Sequence, residues 1–149
     1  MPPCSREYVD LVEGTYTVTN TRILVLPLNH PQGCVGYRIM QNGKVISYCT
    51  DVEHGLDWSD KNIMTLAKDA DFFIVDSQYT PEELADHIGW GHSSWKQSIE
   101  TGIRAGVKRI ALSHHDPYHE DGEGEQILEN ARKLYPKVIA AREGMEVTL

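Results

Sequence analysis

The sequence predicts an α/β protein built on a mixed β-sheet with flanking helices. Its first part carries apolar and β-branched runs separated by turn residues, and its later part alternates such runs with segments of helical periodicity. Strands followed by strand–helix alternation are typical of an α/β sheet with both antiparallel and parallel neighbours. The sequence shows no repeat and no linker, so we treat residues 1–149 as a single domain.

Seven segments have the composition of strands. Asn42-Gly43 separates two of them and is a strong hairpin signal. A continuous apolar run at residues 72–75 is typical of a strand that is buried on both faces. The predicted strands are residues 15–18, 23–28, 36–40, 44–49, 72–75, 109–113 and 138–140, with 146–148 as a short final candidate.

Four segments have the periodicity of helices. The first places apolar residues on one face through residues 63–70, with Ser59 or Asp60 as its N-cap. The second begins at the capping box of residues 80–83, and Gly89 is expected to stop it. The third begins at Ser94 and ends near Gly106. We expect it to turn Trp95, Ile99 and Ile103 inward. The fourth covers residues 122–135 and ends before Pro136.

Composition excludes several classes of protein. With 40% hydrophobic and 24% charged residues, the chain resembles neither disordered nor fibrous proteins. A net charge of −8 argues against a dedicated nucleic-acid binder, which normally has a basic patch. An enzyme acting on phosphate esters stays open, because bound metal can locally offset the charge. No apolar run suits a membrane span and no secretory signal is present, so we expect a cytoplasmic protein.

The three cysteines are Cys4, Cys34 and Cys49, and no two of them form a CxxC pair. An odd number of cysteines cannot all pair within the chain. We therefore expect reduced thiols.

Polar residues follow four of the predicted strands. His30, Asp51, Asp76 and the pair His114-His115 come at or just after these strand ends. If the four strands point the same way, these side chains lie along one rim, where open α/β sheets build their sites. Each residue alone is more often a turn or capping residue. Together, imidazoles and carboxylates are a ligand set for zinc, iron or manganese, so the pattern favours a metal site.

Several motifs in register carry a resemblance to a known family. From about residue 23 to residue 140, they resemble the C-terminal half of a metallo-β-lactamase-fold hydrolase. The nearest branch contains cyclic phosphodiesterases and the tRNA 3′-processing endonuclease. The motifs are His30-Pro31-Gln32-Gly33-Cys34-Val35-Gly36, Tyr48-Cys49-Thr50-Asp51, Asp76-Ser77-Gln78-Tyr79-Thr80, Gly89-Trp90-Gly91-His92-Ser93 and Ser113-His114-His115-Asp116-Pro117.

The resemblance implies roles for particular residues. His30, Asp51 and His114 would be ligands of a divalent metal, zinc or manganese, with His115 as the alternative to His114. Asp51 would bridge two ions. His92 would protonate the leaving group or hold phosphate, and it immediately precedes a predicted helix N-terminus, which suits an anion. Residues expected to orient these groups are Asp76, Glu53, His54, Asp116 and His119. Trp58, Trp90 and Trp95 could line a substrate pocket, with Trp95 the best candidate for the core.

The chain departs from the family pattern in one large respect. The family's HxHxDH motif, which supplies most metal ligands, is absent, and no two of the seven histidines are separated by one residue. The missing ligands would come from another chain or from outside these 149 residues. Half of a two-sheet fold would also leave one sheet face uncovered. We therefore expect a homodimer, or a partner chain that covers this face.

Two functions follow from the sequence. The first is a metal-dependent hydrolase, with a small phosphodiester as substrate. The alternative is a non-catalytic oligomeric or metal-binding module that keeps half of the fold. The two differ in whether the rim binds metal and supports hydrolysis.

Overall fold

A single mixed sheet forms the centre of the molecule, and its seven strands lie side by side in chain order. The computed structural model describes residues 8–149, apart from the side chains of Trp58 and Asp121. The strands in this range are β1 (Gly14–Val18), β2 (Thr21–Leu28), β3 (Cys34–Gln41), β4 (Lys44–Cys49), β5 (Phe72–Asp76), β6 (Ile110–Ser113) and β7 (Val138–Ala140). The predicted mixed sheet is confirmed.

Strand directions decide where the loop residues gather. Neighbours from β1 to β4 are antiparallel, and neighbours from β4 to β7 are parallel. As a result β2, β4, β5 and β6 all point the same way. Their carboxyl ends therefore meet at one rim of the sheet, which confirms the strand directions expected from the sequence.

The described residues form four helices, α1 (Asp57–Ala67), α2 (Pro81–Leu84), α3 (Trp95–Arg104) and α4 (Asp121–Leu134). The three longer ones, α1, α3 and α4, contact the sheet and pack on one of its faces. They lie in the connections between the parallel strands β4 to β7, each of which leads to the next strand along the sheet. Right-handed crossovers that all move across the sheet in one direction place their helices on the same face. The main core lies between these helices and the sheet. Its largest buried members include Ile63, Leu66, Phe73, Ile99 and Leu112.

Two rows of apolar side chains, which we call the open face, cover the opposite side of the sheet. Strand pairing aligns them directly across the sheet. No helix in residues 8–149 covers them, and none belongs to the core cluster. The rows are Val25–Tyr37–Tyr48–Ile74–Ala111–Ile139 and Ile23–Ile39–Ile46–Phe72. Most of these side chains are half-buried, and Tyr48 is 40% exposed.

Some predicted boundaries are wrong. Helix α1 begins at Asp57, and neither Ser59 nor Asp60 is its N-cap. The Ser59 hydroxyl instead accepts a hydrogen bond from the backbone N–H of Asn29 at 2.8 Å. Helix α2 ends at Leu84, well before Gly89. The segment 146–148 forms no strand in the described chain.

The predicted inner face of α3 needs one correction. Trp95 and Ile99 are buried, whereas Ile103 is 47% exposed. The last turn contacts the sheet through Thr101 and Gly102, which are buried, and Ile103 lies on the side facing solvent.

The cysteines in the described range carry free thiols, as expected. Cys34 is half-buried and Cys49 is fully buried, and burial raises the pKa of the Cys49 thiol to about 12. Cys4 lies outside the described residues. None of the described helices combines the length and the apolarity that a bilayer crossing requires.

Candidate metal centre

The rim formed by β2, β4, β5 and β6 collects the predicted site residues. His30 follows β2, Asp51 follows β4 and His114 follows β6, while Asp76 is the last residue of β5. His92 lies in the loop just before α3. Residues far apart in sequence therefore meet at one edge because four strands share a direction.

Two of these residues have an uncommon backbone. Asp51 has φ of 54° and His114 has φ of 57°. Left-handed backbone is rare for residues other than glycine, and it concentrates at functional sites. Both residues come within two positions of a strand end, and their side chains meet, with His114 Nε2 3.1 Å from Asp51 Oδ1.

Asp76 is the buried centre of the rim. Its carboxylate has no exposed surface. It accepts hydrogen bonds from the backbone N–H groups of Val52, Gln78 and Ser93 at 3.0 to 3.3 Å. Three loops are thereby fixed to one side chain. A buried carboxylate needs such partners, because losing water without replacing its hydrogen bonds is costly.

Asp76 also orients His92. His92 Nδ1 lies 2.9 Å from Asp76 Oδ2, and because a carboxylate accepts, Nδ1 donates and Nε2 is left for the rim. Burial of the ring lowers the pKa of His92, but the hydrogen bond and charge of Asp76 act in the opposite direction. With the further charges of Asp51 and Glu53, the net effect raises the pKa above 6.5.

The imidazoles form a compact cluster. The rings of His92 and His114 stack with centroids 4.7 Å apart and planes within 18°. The ring of His30 meets that of His92 edge-on at 5.4 Å. His92 is therefore the central ring of the three.

A short loop with glycines at both ends supports His30. Glu53 accepts hydrogen bonds from the backbone N–H groups of Gly89 and Gly91 at 2.9 Å. Gly91 packs directly against the His30 ring, leaving no space for a side chain there. Glu53, predicted to orient site residues, thus acts through this loop.

Two groups of donor atoms could hold a metal ion. In each group, one ligand atom from every residue lies within 4.8 Å of the others. The groups are His30–Asp51–His92 and Asp76–His92–His114. Imidazole nitrogens and carboxylate oxygens are ordinary ligands of zinc and manganese, so the residues present fit a divalent metal. Sequence reasoning did not identify His92 as a donor common to both groups.

The other predicted orienting residues lie elsewhere. His54 Nδ1 is 3.0 Å from Asp60 Oδ1 in α1, and His119 Nε2 is 2.9 Å from Glu83 Oε1. Asp116 accepts a hydrogen bond from the backbone N–H of Tyr118, two residues later in the same loop. His115 lines a pocket of about 310 Å³ at the end of β7, and neither donor group includes it. Within the described range, Asp76 is the only one of the five bonded to a predicted site residue.

Comparisons with known proteins relate this chain to one family and one fold. A family model described as a beta-lactamase superfamily domain matches residues 5–115. Ribonuclease Z from Gemmatimonas aurantiaca is 33% identical over 87 residues, which cover 58% of this chain and 27% of that protein. Ribonuclease Z from a Nostoc species is 26% identical over 147 residues, which cover 96% and 42%.

A solved structure shows the same fold. The metallo-beta-lactamase fold protein YhfI from Bacillus subtilis superposes with a TM-score of 0.77 at 17% identity, covering 93% of this chain and 54% of that one. The chain therefore spans about half of this structure, and less than half of the two curated relatives.

Proposed function

Because the chain belongs to the beta-lactamase superfamily and has the metallo-β-lactamase fold, we propose that it carries part of a metal-dependent phosphodiesterase centre. The likeness to one half of that fold, expected from the sequence motifs, is confirmed. The observation that carries the proposal is the meeting of His30, Asp51 and His114 at one rim, beside a His92 ring that Asp76 holds in place.

Metal binding is assigned to His30, Asp51 and His114. His30 and Asp51 belong to one donor group, and His114 contacts Asp51. A divalent metal bound there, zinc or manganese, would polarise the phosphoryl group and activate water. It would also offset the local excess of carboxylates, which otherwise repels a phosphate.

The chain's own residues position the proton donor. Asp76 holds His92 through Nδ1, so His92 Nε2 can contact a phosphate oxygen or donate a proton to the leaving oxygen. Asp51 lies at the same rim and contacts His114. We assign it a catalytic role in addition to metal binding. A general acid must be held within hydrogen-bond reach of the leaving group, and the buried Asp76 provides that restraint.

An RNA phosphodiester is the substrate class that the relatives support, since both curated relatives are named ribonuclease Z. The acidic net charge makes phosphate binding depend on the metal rather than on a basic surface. For this reason we expect phosphate esters to bind weakly unless a divalent metal is supplied.

The remaining ligands are proposed to come from a polypeptide layer that packs on the open face. Its two apolar rows have no helix of residues 8–149 over them, and most of their side chains are only half-buried. Partly exposed apolar surface of this kind is typical of interaction sites. A second copy of this chain is the simplest layer. Light scattering at micromolar concentration tests it, and a stable monomer would contradict it.

Metal titration combined with an activity assay tests the proposal. Zinc and manganese binding are measured by calorimetry, and hydrolysis of bis(p-nitrophenyl) phosphate is followed with each metal. The variant His30→Ala should lose roughly tenfold or more in metal affinity. His119→Ala is the matched control, because His119 pairs with Glu83 away from the donor groups.

Two results would overturn the assignment. No metal binding and no hydrolysis would reject the centre altogether. Metal binding without hydrolysis in the assembled form would instead support the non-catalytic metal-binding module. Circular dichroism of each variant checks that a loss does not come from unfolding.

A further inference from the structure

Trp90 is a large exposed aromatic side chain beside the rim. It is 60% exposed, and its neighbour Ile88 is 74% exposed. A single exposed apolar residue needs no explanation, but an exposed aromatic fixed next to a candidate site suggests a contact with a ligand.

The backbone on both sides of Trp90 is held in place. Glu53 binds the N–H groups of Gly89 and Gly91, as described above, and the Trp90 N–H donates to the carbonyl of His87 at 3.1 Å. The loop therefore presents the indole from a fixed position.

The indole ring itself is supported along one edge. It meets the His87 ring edge-on at 4.7 Å, and His87 in turn stacks on Tyr79 at 4.4 Å. Tyr79 is only 2% exposed, so the series of ring contacts from Trp90 through His87 ends at a buried side chain. Because the ring is already ordered, little side-chain entropy remains to be lost when a flat ligand stacks on it.

Trp90 is also close to the proposed phosphate position. It precedes His92 by two residues, which limits their Cα separation to about 7 Å. The intervening Gly91 packs against His30. Trp90 therefore shares a short loop with His92, the residue proposed to contact the phosphate, and with the glycine that packs against His30.

We infer that Trp90 is a stacking surface for a base of the substrate, which makes the site prefer phosphate esters of nucleosides over those of sugars alone. The inference rests on the phosphodiester function proposed above. Stacking on an indole accepts any base, because every base has a π-face. The preference is thus for a nucleoside as a class and not for one sequence.

Paired ligands test this inference without measuring turnover. Adenosine 5′-monophosphate and ribose 5-phosphate carry the same phosphate and differ by the base. Their affinities are measured by calorimetry on the full chain with saturating zinc. Trp90→Ala should weaken adenosine monophosphate binding by about 5- to 150-fold and leave ribose phosphate binding unchanged.

Two further variants sharpen the comparison. Trp90→Phe keeps a ring and should retain most of the preference for the nucleotide. Ile103→Ala removes an exposed apolar side chain of α3, away from the rim, and should change neither affinity. Quenching of tryptophan emission by the nucleotide, absent in Trp90→Phe, would show directly that the base contacts this indole.

The outcomes separate the two proposals. Normal zinc binding with equal affinities for the two ligands, or an equal loss of both in Trp90→Ala, overturns the stacking role alone. Absence of zinc binding overturns the proposed function, and the stacking role falls with it.

Discussion

The substitution Gly91→Ala tests how closely the rim depends on packing. A Cβ at this position would lie 2.8 Å from His30 Nε2 and 2.7 Å from Pro31 Cδ. Ordinary contacts begin at 3.4 Å and His30 Cδ2 lies closer still to the added Cβ, so relieving the clash requires a movement of about 1 Å. Gly91 also has φ of +94°, which adds about 1–2 kcal/mol of backbone strain for alanine.

The control is Gly89→Ala. Gly89 has φ of +88°, its N–H is held by the same Glu53 carboxylate, and no atom lies within 4 Å of an added Cβ. Both variants should lose free energy of unfolding through backbone strain, and Gly91→Ala should lose more because its Cβ also clashes with His30 and Pro31. Only Gly91→Ala should also lose zinc affinity, by about 10- to 100-fold, the range seen when groups that orient a ligand are disturbed.

Urea denaturation and zinc calorimetry provide the two measurements. Imidazole signals in NMR spectra report independently whether the His30 ring has moved. Equal zinc affinities for Gly91→Ala and Gly89→Ala would refute the argument that packing against this glycine sets the position of His30.

Three further predictions concern stability, each measured by urea denaturation. Asp76→Ala removes the acceptor of three backbone N–H groups. It should therefore lower the free energy of unfolding by about 3–5 kcal/mol. A loss below about 1 kcal/mol would contradict this. Gly124→Ala adds a methyl group in open space on α4 and should stabilise the protein by about 0.5–1 kcal/mol. Gly102→Ala should destabilise it, because the added Cβ meets a β6 side chain at 2.6 Å. Equal effects of the two substitutions on the free energy of unfolding would refute the packing argument. The hydrogen bond from Lys108 lowers the pKa of Asp71 below 3.8, so its contribution is present above about pH 4 and is lost as the pH falls through the folded pKa. Asp71→Asn should therefore be less stable at neutral pH and lose less stability on acidification, and an unchanged acid profile would count against the ion pair.

Local signals in the sequence predicted several elements well. The capping boxes that start α2 and α3 at Thr80 and Ser94 are present in the structure. Each depends on residues three apart, so the whole signal lies within one short segment. The Asn42-Gly43 turn likewise joins β3 and β4 as predicted, because its left-handed backbone suits these two residues.

Long-range contacts account for what the sequence did not reveal. Ser59 was a reasonable cap for α1, but its hydroxyl instead binds the backbone of Asn29, 30 residues earlier. The role of Asp76 as acceptor for three loops could not be read from its position after an apolar run. It depends on the segments around Val52 and Ser93 folding against β5, and no local pattern encodes that meeting.

The left-handed backbone of Asp51 and His114 bears on how the protein could be stabilised. Glycine adopts this conformation with little steric cost, whereas a residue with a Cβ is disfavoured there. Selection for thermal stability alone would therefore favour glycine at both positions. If these side chains serve the centre proposed above, a screen of random variants for heat resistance should recover glycine here together with loss of metal binding. On the proposed function, the aspartate and the histidine at these strand ends lower the stability of the fold and provide the side chains that bind metal.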